Sequence, residues 1–157
     1  MKSSSAFCLQ LILVLIGIGA LTFLLGEPHL EGRNLHATLF QIYFKDPFLA
    51  YVYVGSTPFF VALYRGFGLL GDARQKGAFS QATVDALRSI KHCAIILIGF
   101  VAGGVVLIAL FGDKEDRPAG LFMSLLVTLV ASVIAFAAAR SARHVQRTLK
   151  RPEGSPK

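Results

Sequence analysis

The strongest constraint on this chain is an apolar run of 22 residues from Ile90 to Phe111. It contains no acidic residue, and its one formal charge, Lys91, stands at its beginning. A helix rises about 1.5 Å per residue, so a run of this length covers the ~30 Å hydrocarbon core of a bilayer. The run therefore predicts a transmembrane helix.

Three further apolar runs lie at about residues 6–25, 48–70 and 119–139. The chain is 54% hydrophobic and only 16% charged, whereas a soluble domain has about a quarter of its residues charged. The sequence therefore predicts an all-α integral membrane four-helix bundle. Residues 1–151 form a single four-pass domain in this prediction, and residues 152–157 form a disordered tail.

The first apolar run has a second interpretation, a cleaved signal peptide. Lys2 before the run and the small residues Gly17, Gly19 and Ala20 within it favour cleavage. The run is longer than a usual signal core and continues without a clear A-x-A site. Retention as the first span is the prediction, and cleavage is the alternative.

Amphipathic segments are predicted at the membrane surface as well. In the first loop, Leu35, Leu39 and Ile42 recur at helical spacing beside aromatic residues, which favours an interfacial helix. After the fourth span, residues 140–151 place arginines and a lysine on one helical face, which predicts a basic amphipathic helix.

A further interfacial helix is predicted to precede the third span. Ser80 is a good N-cap residue, because its hydroxyl oxygen can accept from a free amide of the first helical turn. Val84, Leu87 and Ile90 then follow on one face. No helix-breaking residue separates this segment from the third span, so one continuous helix is expected.

The lysine and arginine residues fix the expected orientation. Of the 16, twelve lie on the side of both termini if the four runs span the membrane: Lys2, Arg65, Arg74, Lys76, Arg88, Lys91, Arg140, Arg143, Arg147, Lys150, Arg151 and Lys157. Basic residues accumulate on the cytoplasmic side of membrane proteins. Both termini are therefore predicted to be cytoplasmic.

Small residues indicate how the third and fourth spans pack. Gly99 and Gly103 have GxxxG spacing in the third span, and Ala131 and Ala135 have the same spacing in the fourth. The connecting turn, residues 112–118, has seven residues, which makes the two spans antiparallel neighbours. We expect these smooth faces to meet.

One polar cluster is a candidate binding site. Gln10, Arg65, His92 and Cys93 fall at a similar shallow depth on the predicted cytoplasmic side. If their helix faces converge, they could hold an anionic headgroup or a small ligand. In the alternative, Gln10 and Arg65 bond to backbone carbonyls and His92 faces lipid headgroups.

Other chemistry has little support in the sequence. None of the four runs contains Asp or Glu, which proton relays in membranes use, and no nucleotide-binding, metalloprotease or serine-hydrolase motif occurs. We expect no enzymatic activity, no cofactor and no metal. The net charge of +7 lies in loops and tail, which favours anionic lipid headgroups over nucleic acid as the partner.

Two stretches resemble a bacterial family of uncharacterised multi-pass membrane proteins, DUF2975. They are EGRNLHATLFQIYFKDPFLAYVYVGSTPFFVALYRGFGLLG and GAFSQATVDALRSIKHCAIILIGF, of which FSQATVDALRSI is the most specific part. The resemblance implies four spans and a bacterial inner membrane. It implies no activity and assigns no catalytic residue.

The function expected from the sequence is that of a structural or regulatory membrane component. It would act with a membrane-protein partner or as a homo-oligomer. A small transporter or channel subunit, working as an oligomer, is the alternative. A water-filled cavity lined by Arg65 would favour transport, and a dry bundle would favour the structural role.

Overall fold

The computed structural model describes residues 3–30, 47–75, 79–111 and 117–150, and every regular element in these ranges is an α-helix. The helices are α1 (Ser3–Leu30), α2 (Pro47–Gln75), α3 (Gln81–Phe111) and α4 (Arg117–Leu149). The predicted all-α class is confirmed. The predicted interfacial helix of the first loop and the tail 152–157 lie outside the described residues.

The beginning of α3 follows from local hydrogen bonding. The backbone N–H of Thr83 donates to Oγ of Ser80 at 3.2 Å, and the N–H of Val84 donates to the Ser80 carbonyl at 3.3 Å. Ser80 is therefore the N-cap that the sequence predicted. The helix then continues without a break to Phe111, as expected.

The fourth predicted span and the basic helix that follows it form one element. α4 has 33 residues, so at about 1.5 Å per residue it is roughly 50 Å long. That length exceeds a ~30 Å hydrocarbon core by more than three helical turns. The basic segment from residue 140 onward is thus a rigid extension of the apolar segment.

Three of the helices are long and apolar enough to cross a membrane. The qualifying segments are Ser5–Gly26, Gln81–Leu110 and Arg117–Leu149. α2 is also long, with 29 residues, but it is not among them. Arg65, Pro58 and three tyrosines lower its mean hydropathy. The sequence predicts four spans. Three helices have both the length and the hydropathy of a membrane span, and α2 has the length alone.

The helices pack in chain order. Among the described residues, the extensive contacts join α1 to α2, α2 to α3, and α3 to α4. The contact between α3 and α4 is the largest and that between α1 and α2 the smallest. Ala6 is the one buried residue in the described part of α1, so this helix lies at the edge of the assembly.

The α1–α2 contact is held by side chains that reach backbone carbonyls. The Tyr53 hydroxyl donates to the carbonyl of Leu24 at 3.1 Å, and Nε2 of Gln10 donates to the carbonyl of Phe67 at 3.2 Å. These two bonds lie near opposite ends of the contact. They fix α1 antiparallel to α2 while leaving most of its apolar surface exposed.

The best-buried large side chain lies near the beginning of α3. Val84 is 0% exposed and packs with Ala142 and Val145 of α4, and Leu87 is partly buried against them. This cluster joins the first turns of α3 to the basic extension of α4. The cluster lies outside the apolar runs 90–111 and 119–139, and it is the place where α3 and α4 bury a larger apolar side chain.

This core predicts a position-dependent cost of removing methyl groups. Val84→Ala is expected to lower the free energy of unfolding by about 2 kcal/mol, because it leaves a cavity among buried side chains. Val133→Ala removes the same atoms from a side chain that is 67% exposed, and should change stability by less than about 0.5 kcal/mol. Thermal unfolding in detergent, followed by circular dichroism, measures both. Equal shifts for the two variants would contradict the assignment.

Candidate functional site

The polar cluster predicted from the sequence is divided by α2. Gln10 approaches α2 at Phe67 and Gly71, where its Nε2 lies 3.2 Å from the Phe67 carbonyl oxygen. At 100° per residue, Arg65 lies about 140° around α2 from this contact, on the side of α3. Arg65 and His92 are both exposed. Gln10 bonds to a backbone carbonyl, as the alternative interpretation required, and does not converge with Arg65.

The α2–α3 contact is built on an aromatic pair and a glycine. The Tyr51 hydroxyl donates to the Phe100 carbonyl at 2.7 Å, and the two rings have centroids 5.5 Å apart. A methyl group at Gly103 would meet the Tyr51 hydroxyl, and one at Gly55 would lie 3.1 Å from the Phe100 ring. The two helices approach closely because these positions carry no side chain.

This arrangement corrects the expected role of the glycine pair. Gly103 contacts α2 through Tyr51, rather than α4. Gly99 is exposed, and a methyl group there would have no neighbour within 4 Å. Residues four apart differ in direction by about 40° around a helix. When a helix has neighbours on two sides, GxxxG spacing therefore does not show that both glycines contact the same neighbour.

Sequence reasoning missed Tyr51 as the partner of Gly103. A signal for it was present, since a tyrosine inside an apolar run must place its hydroxyl against a hydrogen-bond acceptor. Tyr53, two residues later, faces the other side of α2 and bonds to α1. The pair Tyr51 and Tyr53 therefore connects α2 to both of its neighbours.

Pro58 lies inside α2, where it leaves a backbone acceptor without its usual donor. Ser56 and Thr57 are close enough in the chain for their hydroxyls to bond to backbone groups near the proline. Oγ of Ser56 donates to the Tyr53 carbonyl at 2.8 Å, and Oγ1 of Thr57 lies 3.5 Å from the same oxygen. Both hydroxyls thus lie against the Tyr53 carbonyl. The carbonyl that loses its donor to Pro58 is that of Val54, one residue later.

A groove opens between α2 and α3 at the level of Pro58. Its volume is about 410 Å³, and it is lined by Val54, Thr57, Pro58, Val61, Cys93, Ile96 and Phe100. The lining is almost wholly apolar, and Arg65 is not part of it. Cys93 is buried and not in a disulfide. In the described part of the chain, no three His, Cys, Asp or Glu side chains are grouped to hold a metal ion.

The α4 side of the α3–α4 contact is a row of small residues. Ala131 is 3% exposed and Ala138 and Ala142 are each 5% exposed, while Ala135 is partly buried. On the same helix, Ser124, Thr128 and Ser132 donate to carbonyls four residues earlier at 2.7–2.8 Å. α4 therefore satisfies its hydroxyls internally and presents a smooth face to α3.

Basic side chains of three helices lie at one level. Ten residues separate Gly55 from Arg65 and ten separate Phe100 from Ile90, so the contact of Gly55 with Phe100 places Arg65 opposite Ile90. Arg88 of α3 reaches α4, where Nη2 donates to Oε1 of Gln146 at 3.0 Å. We call Arg65, Arg88, Lys91 and Arg140 the cationic layer, because the helix contacts bring them within about one turn of a common plane.

Similarity to known proteins identifies the family of this chain. Residues 37–147 match the family described as protein of unknown function (DUF2975). The chain belongs to the DUF2975 family. It is also 35% identical over 144 residues to the uncharacterised membrane protein YoaS of Bacillus subtilis (strain 168), and the match covers 88% of each chain. No solved structure matches.

The family match covers most of the helix contacts described above. It includes α2, α3 and nearly all of α4, and therefore the Tyr51–Phe100 pair and the cationic layer. The resemblance seen in the sequence is confirmed. A membrane protein of unknown function is the description that the family and the relative support.

The α2–α3 contact yields a matched pair of glycine substitutions. Gly103→Ala should cost about 1–2 kcal/mol of stability, because the added methyl group displaces the Tyr51 hydroxyl from the Phe100 carbonyl. Gly99→Ala meets nothing within 4 Å and should be neutral or slightly stabilising. Unfolding in detergent measures both.

A second variant shows whether the hydroxyl is responsible. Adding Tyr51→Phe removes the group that the methyl meets, so the double variant Gly103→Ala, Tyr51→Phe should cost less than the sum of its single changes. Strict additivity, or an equal loss from Gly99→Ala, would contradict the contact.

Proposed function

We propose that this DUF2975 protein is a four-pass integral protein of the bacterial inner membrane with both termini cytoplasmic. It acts as a structural or regulatory membrane component and has no enzymatic activity of its own. Its basic helical extension engages anionic lipid headgroups and presents a surface to a membrane-protein partner or to a second copy.

The main support is the exposure of the apolar segments. In an 18-residue apolar stretch of α1, no residue is buried within the chain. In the corresponding stretches of α3 and α4, 11% of the residues are buried. Side chains such as Phe122 and Val133 are each 67% exposed. In water this surface would associate, whereas hydrocarbon is a favourable environment for it.

The polar groups inside these segments give a second line of support. Gln10, Tyr51 and Tyr53 donate to carbonyls of neighbouring helices, and the serine and threonine hydroxyls of α4 donate within their own helix. No buried side-chain nitrogen or oxygen in the described ranges is without a hydrogen-bond partner. Hydrocarbon supplies no partners, so internal satisfaction is what a spanning helix requires.

α2 is the fourth span in this proposal, although its hydropathy is low. Its 29 residues reach across a bilayer, and the hydroxyls of Tyr51 and Tyr53 donate to carbonyls of its neighbours on two sides. Arg65 lies in the cationic layer, where a long side chain can reach the headgroups. A three-span chain would instead leave the two termini on opposite membrane faces.

The apolar lining of the α2–α3 groove favours the structural role over transport. A transport pathway needs polar groups or water along its length, and Arg65 does not line this groove. The cationic layer lies at one end of the spans, as headgroup contacts require. A DUF2975 protein of this construction is better suited to bind at the membrane surface than to move a solute.

Reporter fusions test the number of spans. Alkaline phosphatase, active only outside the cytoplasm, should be active when fused after Lys45 or Lys114 and inactive after Lys76 or Lys157. A fluorescent protein fused at the same four positions should give the reverse pattern. Phosphatase activity after Lys157 would indicate an odd number of spans and contradict the four-pass topology.

The surface role is tested by photocrosslinking in native membranes. A photoreactive residue at Arg147, which is exposed on the basic extension, should give a discrete adduct with another copy or a second protein. The same group at Phe122, on the apolar face, should give only lipid adducts. If Arg147 gave no protein adduct while purified protein carried ions across vesicles, the transporter alternative would replace this proposal.

A further inference from the structure

The apolar groove between α2 and α3 leads directly to the cationic layer. The contact of Tyr51 with Gly103 sets the register of these antiparallel helices. Equal steps along both helices from this contact give three opposed pairs that line the groove: Val54 and Phe100, Pro58 and Ile96, Val61 and Cys93. One further turn brings Arg65 level with Ser89 and Ile90. The groove therefore ends at a guanidinium and a hydroxyl.

Arg65 and Ser89 lie on the same sides of their helices as the groove lining. Positions 54, 58, 61 and 65 of α2 are spaced by four, three and four residues, and positions 100, 96, 93 and 89 of α3 have the same spacing. This spacing keeps the members of each set within about 60° of one another around the helix. Val54 is 61% exposed and Ile96 is 50% exposed, so the groove opens outward from the chain.

Arg65 is a charged side chain at the edge of the apolar part of α2. Its guanidinium makes no hydrogen bond or ion pair with another residue of the described ranges. Helical side chains lean toward the N-terminus of their helix, so the stem of Arg65 points from the cationic layer toward Val61 and the groove. A charge at the edge of hydrocarbon is costly unless it is paired, and an anionic group at this end of the groove would pair with it.

A phospholipid has the two kinds of chemistry in the order that the groove presents them. Its phosphate oxygens can accept two bonds from the Arg65 guanidinium and one from the Ser89 hydroxyl. An acyl chain that starts there would follow the apolar lining toward Phe100, away from the cationic layer. The eleven residues from Arg65 back to Val54 span about 16 Å, which is about half of a ~30 Å hydrocarbon core and therefore the depth of one leaflet.

The charges around this end of the groove favour a headgroup without a positive group of its own. Arg88 and Lys91 belong to the cationic layer, on the same helix as Ser89. The acidic side chain described on this part of α3 is Asp85, one turn farther from the groove, where it accepts from the Gln81 amide at 3.2 Å. A choline group next to the phosphate would be repelled by the basic side chains, whereas a glycerol headgroup would not.

A second groove, beside Phe79, does not have this order of polar and apolar groups. It has a volume of about 420 Å³, and its lining consists of Phe79, Arg140, Ser141, His144 and Val145. Its apolar side chains lie beyond Arg140, on the side away from the apolar runs. A lipid with its phosphate at Arg140 could not place an acyl chain against them, so this groove does not fit a phospholipid.

We propose that the groove between α2 and α3 binds one anionic phospholipid, with its phosphate at Arg65 and Ser89 and an acyl chain along Pro58 and Ile96. The inference deepens the proposed function and rests on it, because it requires the helices to be inserted in a bilayer. It goes beyond a general attraction between basic residues and anionic lipid, since it assigns one lipid to one groove.

Native mass spectrometry of the full-length protein identifies the occupant by its mass. The protein is purified in detergent and mixed with equal amounts of phosphatidylglycerol and phosphatidylcholine. We expect one phosphatidylglycerol to remain on each chain after the detergent is removed, in preference to phosphatidylcholine. A dimer that carries no lipid would assign the groove to a second copy and overturn the proposal.

A matched pair of charge variants locates the headgroup. Arg65→Gln should lower the retained phosphatidylglycerol about fivefold, the effect of one basic side chain at an anionic surface. Arg140→Gln removes an equal charge from the cationic layer, on a helix that does not line this groove, and should leave retention unchanged. An equal loss from both variants would indicate a general charge effect and contradict the site.

A matched pair of isoleucine variants locates the acyl chain. Ile95 and Ile96 are 51% and 50% exposed, but Ile96 lines the groove and Ile95 does not. Ile96→Trp fills the groove while leaving Arg65 in place, and should lower lipid retention, whereas Ile95→Trp should not. Circular dichroism checks that both variants keep their helices. Unchanged retention in a folded Ile96→Trp variant would rule out the groove as the place of the chain.

An alkaline carbonate wash of native membranes separates failure of this inference from failure of the proposed function. Wild-type protein should stay in the membrane after the wash, as inserted helices do. If it stays but retains no phosphatidylglycerol in the spectrometer, the groove alone is overturned. Release by the wash would refute membrane insertion, and with it both proposals.

Discussion

The antiparallel contact between α3 and α4 is the interaction on which the rest of the structure depends. It is the most extensive helix contact in the described chain, and it includes the fully buried Val84. α2 adds to the other side of α3 through Tyr51 and Phe100, and α1 adds to α2 through two hydrogen bonds. Each helix is thus positioned by the one next to it, and α3 is fixed by α4.

The kind of packing in this contact changes along its length. In the apolar part, α4 presents alanines and internally bonded hydroxyls, which give close approach without a large buried side chain. Beyond the cationic layer, Val84 and Val145 form a core of the type found in soluble proteins. The proposed membrane insertion accounts for the difference, because water drives apolar side chains together and hydrocarbon does not.

The packing at Val84 also positions the groove beside Phe79. A basic extension that continued α4 without a partner would present its charges in all directions. Because Val84 and Val145 hold it against the beginning of α3, Arg140 and His144 stand beside Phe79 at a defined height. The core of Val84 and Val145 therefore fixes the position of Arg140 and His144 relative to α3.

What could be predicted from the sequence follows the range of the interactions. The N-cap at Ser80 is local, since the groups it joins are three residues apart, and it was predicted correctly. The apolar runs at 6–25, 90–111 and 119–139 likewise identified the three described helices that are apolar enough to span a membrane. The partner of Gly103 was not predictable in this way, because spacing along one helix does not tell which of two neighbours a face meets.

The candidate site shows the same limit. Gln10, Arg65 and His92 were predicted to lie together because they have a similar depth along their helices. In the structure, Gln10 and Arg65 lie on different sides of α2. The groove at Phe79 joins residues more than 60 positions apart, and it exists only because α4 runs well past its apolar segment. Neither the rotation of a helix nor the length of its extension is fixed by composition.

The central claim is that α3 passes from water into hydrocarbon at the cationic layer, and spin labels along it test this most directly. With Cys8 and Cys93 replaced, single labels are introduced at exposed positions of α3: Ala82, Asp85, Arg88, Ile95, Ala102 and Val106. The account predicts that collisions with a water-soluble nickel complex dominate up to Arg88 and that collisions with oxygen dominate from Ile95 onward. A constant ratio of the two along the whole helix would contradict it.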